Sequence, residues 1–202
     1  MDWLPQLRIF RSDLDELMGA KKISSNKRGT LIHKSLEYLV FSGNLAEDCK
    51  RAAFEAMKFL PYGRFSEQDS LKEDFAQNQE KTLYGDVLKD LTWFAELKEP
   101  FGGAKFWFEY GYKEHSLTNE NGELFRIDLL VEIPEKMRCN YQNTAYIAVD
   151  YKTGYPDESL PVPDNKKQIL NYIDLLTKAT GKKAVGVLVY LDRTECCIIE
   201  SE

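Results

Sequence analysis

The sequence predicts an α/β fold, a central mixed β-sheet flanked by helices and preceded by a helical region. Three observations predict it. The first hundred residues repeat apolar positions at helical spacing. From residue 104 onward, short apolar or alternating runs are separated by turn signals. One amphipathic stretch, 164–179, interrupts those runs and gives the order β-β-β-α-β-β.

The elements follow in chain order. Residues 11–19 (RSDLDELMG) form a short amphipathic stretch. Residues 29–42 place Ile32, Leu36, Leu39 and Val40 at helical spacing, with Gly43 as the stop. Residues 45–59 continue the pattern, PYGRFSEQDS breaks it, and 80–98 resume it before the Pro100-Phe101-Gly102-Gly103 boundary. Residues 104–113 (AKFWFEYGYK) are aromatic and alternating, which predicts the first strand. The Asn119–Gly122 segment carries an Asn-Gly turn signal. Strands are predicted over 123–133, 145–152, 184–190 and 194–200, with Asp164 or Asn165 capping the helix between the third and fourth. The expectation is one domain over 1–202, with 1–100 a mainly helical lead-in carrying His33 and 101–202 the core.

Composition narrows the classes. Of 202 residues, 43% are hydrophobic and 30% charged, enough for a real core. No apolar run approaches the roughly 18 residues of a membrane span, and the amino terminus lacks a secretory layout. The expectation is a cytoplasmic protein with no membrane partner. A net charge of -6 runs against a free-standing basic nucleic-acid binder, although local positive charge around one groove is compatible with it. The four cysteines, Cys49, Cys139, Cys196 and Cys197, form no C-x-x-C pair and read as reduced thiols, the adjacent pair facing opposite sides of a strand.

Four short motifs carry chemistry. In VDYKTG (149–154), Asp150 and Lys152 share one face of a strand, about 7 Å apart, while Ile147 and Val149 take the other. That pair is either an ion pair at a strand end or part of a metal site, since charge beside apolar residues must be compensated. In RIDLLVEI (126–133), Asp128 interrupts an apolar strand, as a solvated edge residue or as a hard oxygen ligand for Mg2+ or Mn2+. Asp128 and Asp150 side by side would repel unless a cation lay between them. In GTLIHKSLEYL (29–39), Gly29 and His33 stack one turn apart, Gly29 permitting close approach of another segment. In KKQILNYIDLL (166–176), Gln168 and Tyr172 share a helix face, and Lys166 and Lys167 sit in a first turn where cations are tolerable beside phosphate. Lys21, Lys22, Lys27, Arg28 and Lys34 form a basic cluster near His33, read either as a solvated helix entry or as a track for a phosphate backbone. Trp107, Tyr110, Tyr155 and Tyr172 are aromatics that could stack bases or fill the core.

The order Gly-x-x-x-His, Asp in an apolar strand, Asp-Tyr-Lys-Thr-Gly and Gln-x-x-x-Tyr resembles the RecB-like nuclease domain of the PD-(D/E)XK superfamily, over residues 28 to about 190. The resemblance implies a restriction-endonuclease-like core and a Mg2+- or Mn2+-dependent deoxyribonuclease of DNA repair or recombination, exonuclease favoured over endonuclease. It implies His33, Asp128, Asp150 and the Tyr151 carbonyl as metal ligands and Lys152 as the catalytic lysine. Gln168 and Tyr172 would orient the site or touch the strand, and Glu109 would be an auxiliary acid in the first strand. The implied partners are single-stranded or duplex-end DNA, held by Lys27, Arg28, Lys34, Lys166 and Lys167, and a helicase domain or subunit.

The sequence departs from the pattern in two ways. Phe125 and Arg126 precede Ile127-Asp128 where relatives often carry a glycine. The cysteine trio of iron–sulfur members is missing, so no cluster is expected. The competing expectation is a catalytically inactive, DNA-binding or scaffolding member of the same fold.

Overall fold

The computed structural model describes residues 25–58, 70–154 and 159–201, with the side chains of 25–27 and 70–82 outside that description. The expected helix at 11–19, Lys21, Lys22, Tyr155, the Lys27 side chain and most of the 61–70 break lie outside the described residues.

Three helices come first: α1 (Ser25–Tyr38), α2 (Leu45–Met57) and α3 (Ser70–Ala95). Helix α1 ends five residues before Gly43, and the chain reverses through a side-chain latch rather than a glycine cap. Asp48 of α2 accepts both the Ser42 N–H and the Ser42 hydroxyl at 2.7 Å, while Asn44 caps α2 by accepting from Glu47 N. Leu31, Leu36, Ala52, Ala53, Ala56, Val87, Leu91 and Phe94 pack these helices together. The small alanines of α2 permit its close approach to α1.

Segment 104–113 is not the strand that its alternation predicts. Residues Gly103–Glu109 form a short helix, α4, and the first strand, β1, runs Gly111–Thr118. Trp107 is fully buried in the core, and Phe106 stacks on Tyr110 one turn later at 4.8 Å, a contact that helical spacing makes and strand spacing does not. Tertiary packing of the rings overrides their strand preference.

The remaining strands are β2 (Leu124–Glu132), β3 (Tyr146–Lys152), β4 (Ala184–Tyr190) and β5 (Glu195–Ile199), with helix α5 (Pro163–Thr180) between β3 and β4. Helix α5 starts one residue before the expected caps, with Pro163 inside its first turn and no side-chain cap. The sheet order is β1-β2-β3-β4-β5, with β3 and β4 parallel and every other pair antiparallel. The sheet is therefore mixed and flanked by helices, as expected. The Asn119–Gly122 turn closes the β1–β2 hairpin, with Gly122 at φ +80 and the Asn119 carboxamide accepting from Asn121 N and Glu123 N.

Two cores lie on opposite faces of the sheet. Leu129, Val131, Ile147, Val149, Val187 and Val189 face the helices α1–α3. Leu130, Ala148, Leu188 and Tyr190 face Ile169, Tyr172, Ile173 and Leu176 of α5. Cys196 joins the first core and Cys197 the second, so the adjacent pair does straddle the sheet, and all four cysteines are free. No helix among the described residues is long and apolar enough to cross a membrane.

Candidate functional site

The site forms where β2 and β3 part. Their ladder runs from Glu132–Tyr146 to Leu129–Val149 and stops. One further step would set Asp128 opposite Asp150. There the Asp128 carboxylate replaces the ladder, its Oδ2 accepting the Tyr151 N–H at 2.8 Å. Strand β2 also turns over at this point. Ile127 packs on the α5 side although Leu129, two residues on, packs on the other. On β1, Glu114 stands opposite with φ +52, a left-handed backbone in mid-strand that a side chain rarely adopts.

Helix α1 lays His33 over the gap. Its Nε2 lies 3.2 Å from the Tyr151 carbonyl and its Nδ1 3.6 Å from Asp128 Oδ1. Burial lowers the imidazole pKa, but the hydrogen bond and charge of Asp128, the charge of Asp150 and the Tyr151 carbonyl outweigh it and raise the pKa above its ordinary value. Helix α1 is fastened beyond His33 by Lys113 of β1, whose ammonium donates to the carbonyls of Glu37 and Leu39 and sits over the Phe108 ring. Burial pushes Lys113 down to about 8, against the charge of Glu37.

Asp150 is 3% exposed, and its Oδ2 lies 2.6 Å from the Lys152 ammonium. Burial first, and then the charge of Asp128, push the Asp150 carboxyl up to about 6, with Lys152 and His33 opposing. Lys152 also donates to Gln168 Oε1 at 2.8 Å. Gln168 Nε2 donates to the Tyr172 hydroxyl at 2.7 Å, and that hydroxyl donates to the Arg126 carbonyl at 2.9 Å. The helix pair Gln168–Tyr172 therefore ties Lys152 to the backbone of β2.

These residues line one open cavity of about 360 Å³, bounded by His33, Arg126, Asp128, Asp150, Tyr151 and Lys152, with Thr153 and Gln168. His33, Asp128 and Glu114 each offer a ligand atom, all within 4.8 Å of one another. Glu114 also pairs with the largely exposed Arg126, Nε to Oε2 at 2.8 Å. The donor set is hard oxygens plus one imidazole, and the Asp150 carboxylate is buried beside a second carboxylate, Asp128, that disfavours its charge. Both features fit a divalent cation such as Mg2+ or Mn2+.

The structure brings together His33, Asp128, Asp150, Tyr151, Lys152, Gln168 and Tyr172. Gly29 does permit a close approach, since a Cβ there would lie 2.8 Å from Thr153 Oγ1. Other expectations need correcting. Glu109 is the exposed last residue of α4, not a strand residue; the acid that lies with His33 and Asp128 is Glu114. Arg28 is not held out toward solvent, for its guanidinium pairs with Asp90 and Asp192. Lys34 pairs with Glu37 at 2.7 Å, while Lys166 and Lys167 are exposed at the start of α5. Trp107 and Tyr172 are buried and present no free ring face.

Sequence reasoning passed over Glu114, Asp90 and Asp192. The hairpin carried the signal for Glu114. Thr118 pairs with Leu124 across the Asn-Gly turn, and counting four residues outward on each strand puts Glu114 opposite Asp128.

No family model matches the chain, and no curated protein matches it. A solved structure described as "Crystal structure of SSO0001" is similar over 100% of this chain and 80% of that one, at 15% identity and a TM-score of 0.30. A likeness that loose carries no argument.

Proposed function

We propose that the chain is a Mg2+- or Mn2+-dependent nuclease that hydrolyses phosphodiester bonds of DNA, in the service of repair or recombination. One observation carries this reading. Residues from four separate elements, His33 of α1, Asp128 of β2, Asp150 and Lys152 of β3 and Gln168 of α5, converge on one open cavity at the parted end of the sheet.

Their chemistry suits an anionic substrate held with the help of a cation. Two carboxylates line the cavity against Lys152 and Arg126, so a divalent cation would tip a balanced local charge toward a phosphodiester. His33, Asp128, Asp150 and the Tyr151 carbonyl are the groups that would hold that cation, with Glu114 beside them. When bound, such an ion withdraws charge from a phosphoryl oxygen and acidifies a water. Lys152 has three N–H donors, of which Asp150 and Gln168 engage two. The third remains for a phosphoryl oxygen or for the attacking water, and the two fixed contacts hold it in place before substrate arrives. Arg126 lines the same cavity with an exposed side chain able to meet a neighbouring phosphate.

The test is cleavage of end-labelled single- and double-stranded DNA with Mg2+, with Mn2+ and with chelator. Cleavage is expected only with metal. Lys152→Ala should abolish it while leaving DNA affinity largely intact. Cutting that survives chelation, or a Lys152→Ala variant that cuts at the wild-type rate, rules the reading out.

A further inference from the structure

One buried cluster of charge lies outside the cavity and directly behind it. Arg28, on the first turns of α1, reaches two carboxylates from two other elements. Its Nη2 meets Asp90 of α3, and its Nη1 meets Asp192 in the short 3-10 turn (Leu191–Arg193) after β4. The second oxygen of Asp192 accepts the N–H of Gly154. Gly154 lies two residues past Lys152 and has φ +89, at the turn where the chain leaves β3. The other side of that turn is also held, because Thr153 packs into the space that Gly29 leaves on α1.

The side chains are largely sequestered, at 23% exposure for Arg28, 8% for Asp90 and 15% for Asp192. Two acids share one guanidinium, so the cluster is not optimised for stability alone. Burial pushes Asp90 up to about 6, with Arg28 pulling down and Asp192 pushing up. Sequestered ion pairs of this kind contribute little net stability. A guanidinium fork, however, fixes the relative position of the groups that it bridges. Here it bridges the helix that carries His33 and the turn that ends the strand carrying Asp150, Tyr151 and Lys152. Metal sites tolerate only about 0.5 Å of play in their ligands.

We infer that Arg28 and Asp192 form a positioning brace that sets the distance between His33 and the Asp150–Lys152 strand end through the N–H of Gly154. The inference rests on the metal-binding reading given above. Neither residue lines the cavity, so both would act through the residues that do.

The test compares two isosteric variants in the full chain. Asp192→Asn and Asp90→Asn each remove one carboxylate charge beside Arg28, but Asp192 holds the turn and Asp90 does not. Mn2+ affinity is read by electron paramagnetic resonance without DNA, and folding by thermal denaturation. Asp192→Asn is expected to weaken Mn2+ binding about tenfold, as for other supports of metal ligands. Asp90→Asn is expected to leave it within about twofold, although Asp90 is the more buried acid. If Asp192→Asn does not fold, Arg28→Lys replaces it. That variant keeps the positive charge but loses the two-pronged fork, and it should weaken Mn2+ binding several-fold. Equal losses of affinity in the two aspartate variants, tracking their losses of stability, would overturn the brace while leaving the metal site standing. So would an Arg28→Lys variant with wild-type affinity. A wild-type chain that binds no Mn2+ would instead overturn the metal reading itself, and the brace with it.

Discussion

Strand β3 is two structures joined at Val149. From Tyr146 to Val149 it pairs on both sides, antiparallel with β2 and parallel with β4, and its side chains fill both cores. From Asp150 to Lys152 it keeps β4 and loses the β2 ladder. In the first half backbone pairing and apolar burial act together. In the second a carboxylate stands in for a strand, and another carboxylate is held in a place that disfavours its charge. The site is thus a parted seam in the sheet rather than a set of side chains on a finished surface. Stability and chemistry should separate at a single peptide bond.

The largest expected effect is at Asp150. Asp150→Ala should lose tight Mn2+ binding and reduce cleavage by about 10³-fold or more. The isosteric Asp150→Asn sharpens the contrast, because it should lose function without losing stability. The Asp150 carboxyl is pushed up to about 6 from 3.8, so the folded chain holds this proton more tightly than the unfolded chain. Without metal, this group's contribution to stability is therefore best below about pH 4 and is lost as pH rises through about 6. Above that window Asp150→Asn should be at least as stable as wild type. Thermal unfolding in chelator across this range checks the sign. A variant clearly less stable than wild type at neutral pH would break the comparison.

One residue back the expectation inverts. Val149→Ala removes fully buried apolar atoms from the helical side of the sheet and should cost about 2 kcal/mol. Its effect on Mn2+ affinity should stay within about twofold. If Val149→Ala weakens Mn2+ binding as severely as Asp150→Ala, the two halves of the strand are one unit and the division drawn at Val149 fails.

The same division marks what the sequence discloses. Strands 124–132, 146–152 and 184–190 are legible because double-sided burial writes itself as apolar runs with two misplaced aspartates. Convergence of His33, Asp128, Asp150, Lys152 and Gln168 was legible from motif order. Segment 104–113 was not, because its alternating aromatics satisfy strand spacing locally, while Trp107 meets Phe94, and Phe106 meets Tyr110 and Tyr141, only in the folded chain. The alternation points to Glu109, whereas the acid that the fold sets beside His33 and Asp128 is Glu114. Arg28 was legible as a cation but not as a brace. Its partners lie 62 and 164 residues away, beyond any local pattern, and only the folded chain returns them to its side.

The smallest expected effects run along the chain of hydrogen bonds from Lys152 through Gln168 and Tyr172 to the Arg126 carbonyl. Gln168→Ala removes an acceptor from Lys152 but leaves Asp150 in place, so kcat should fall about tenfold with KM for DNA little changed. Tyr172→Phe keeps the buried ring and deletes only the hydroxyl. The Gln168 amide then loses its anchor but still reaches Lys152. The expected loss is about threefold in kcat, together with about 1 kcal/mol of stability from the Arg126 carbonyl left without its donor. The split between the kinetic constants decides what the helix pair does. A fall in kcat means that it steadies the lysine. A rise in KM with kcat preserved means that Gln168 and Tyr172 grip the substrate directly, and the polar end of β3 then owes its order to bound DNA rather than to α5.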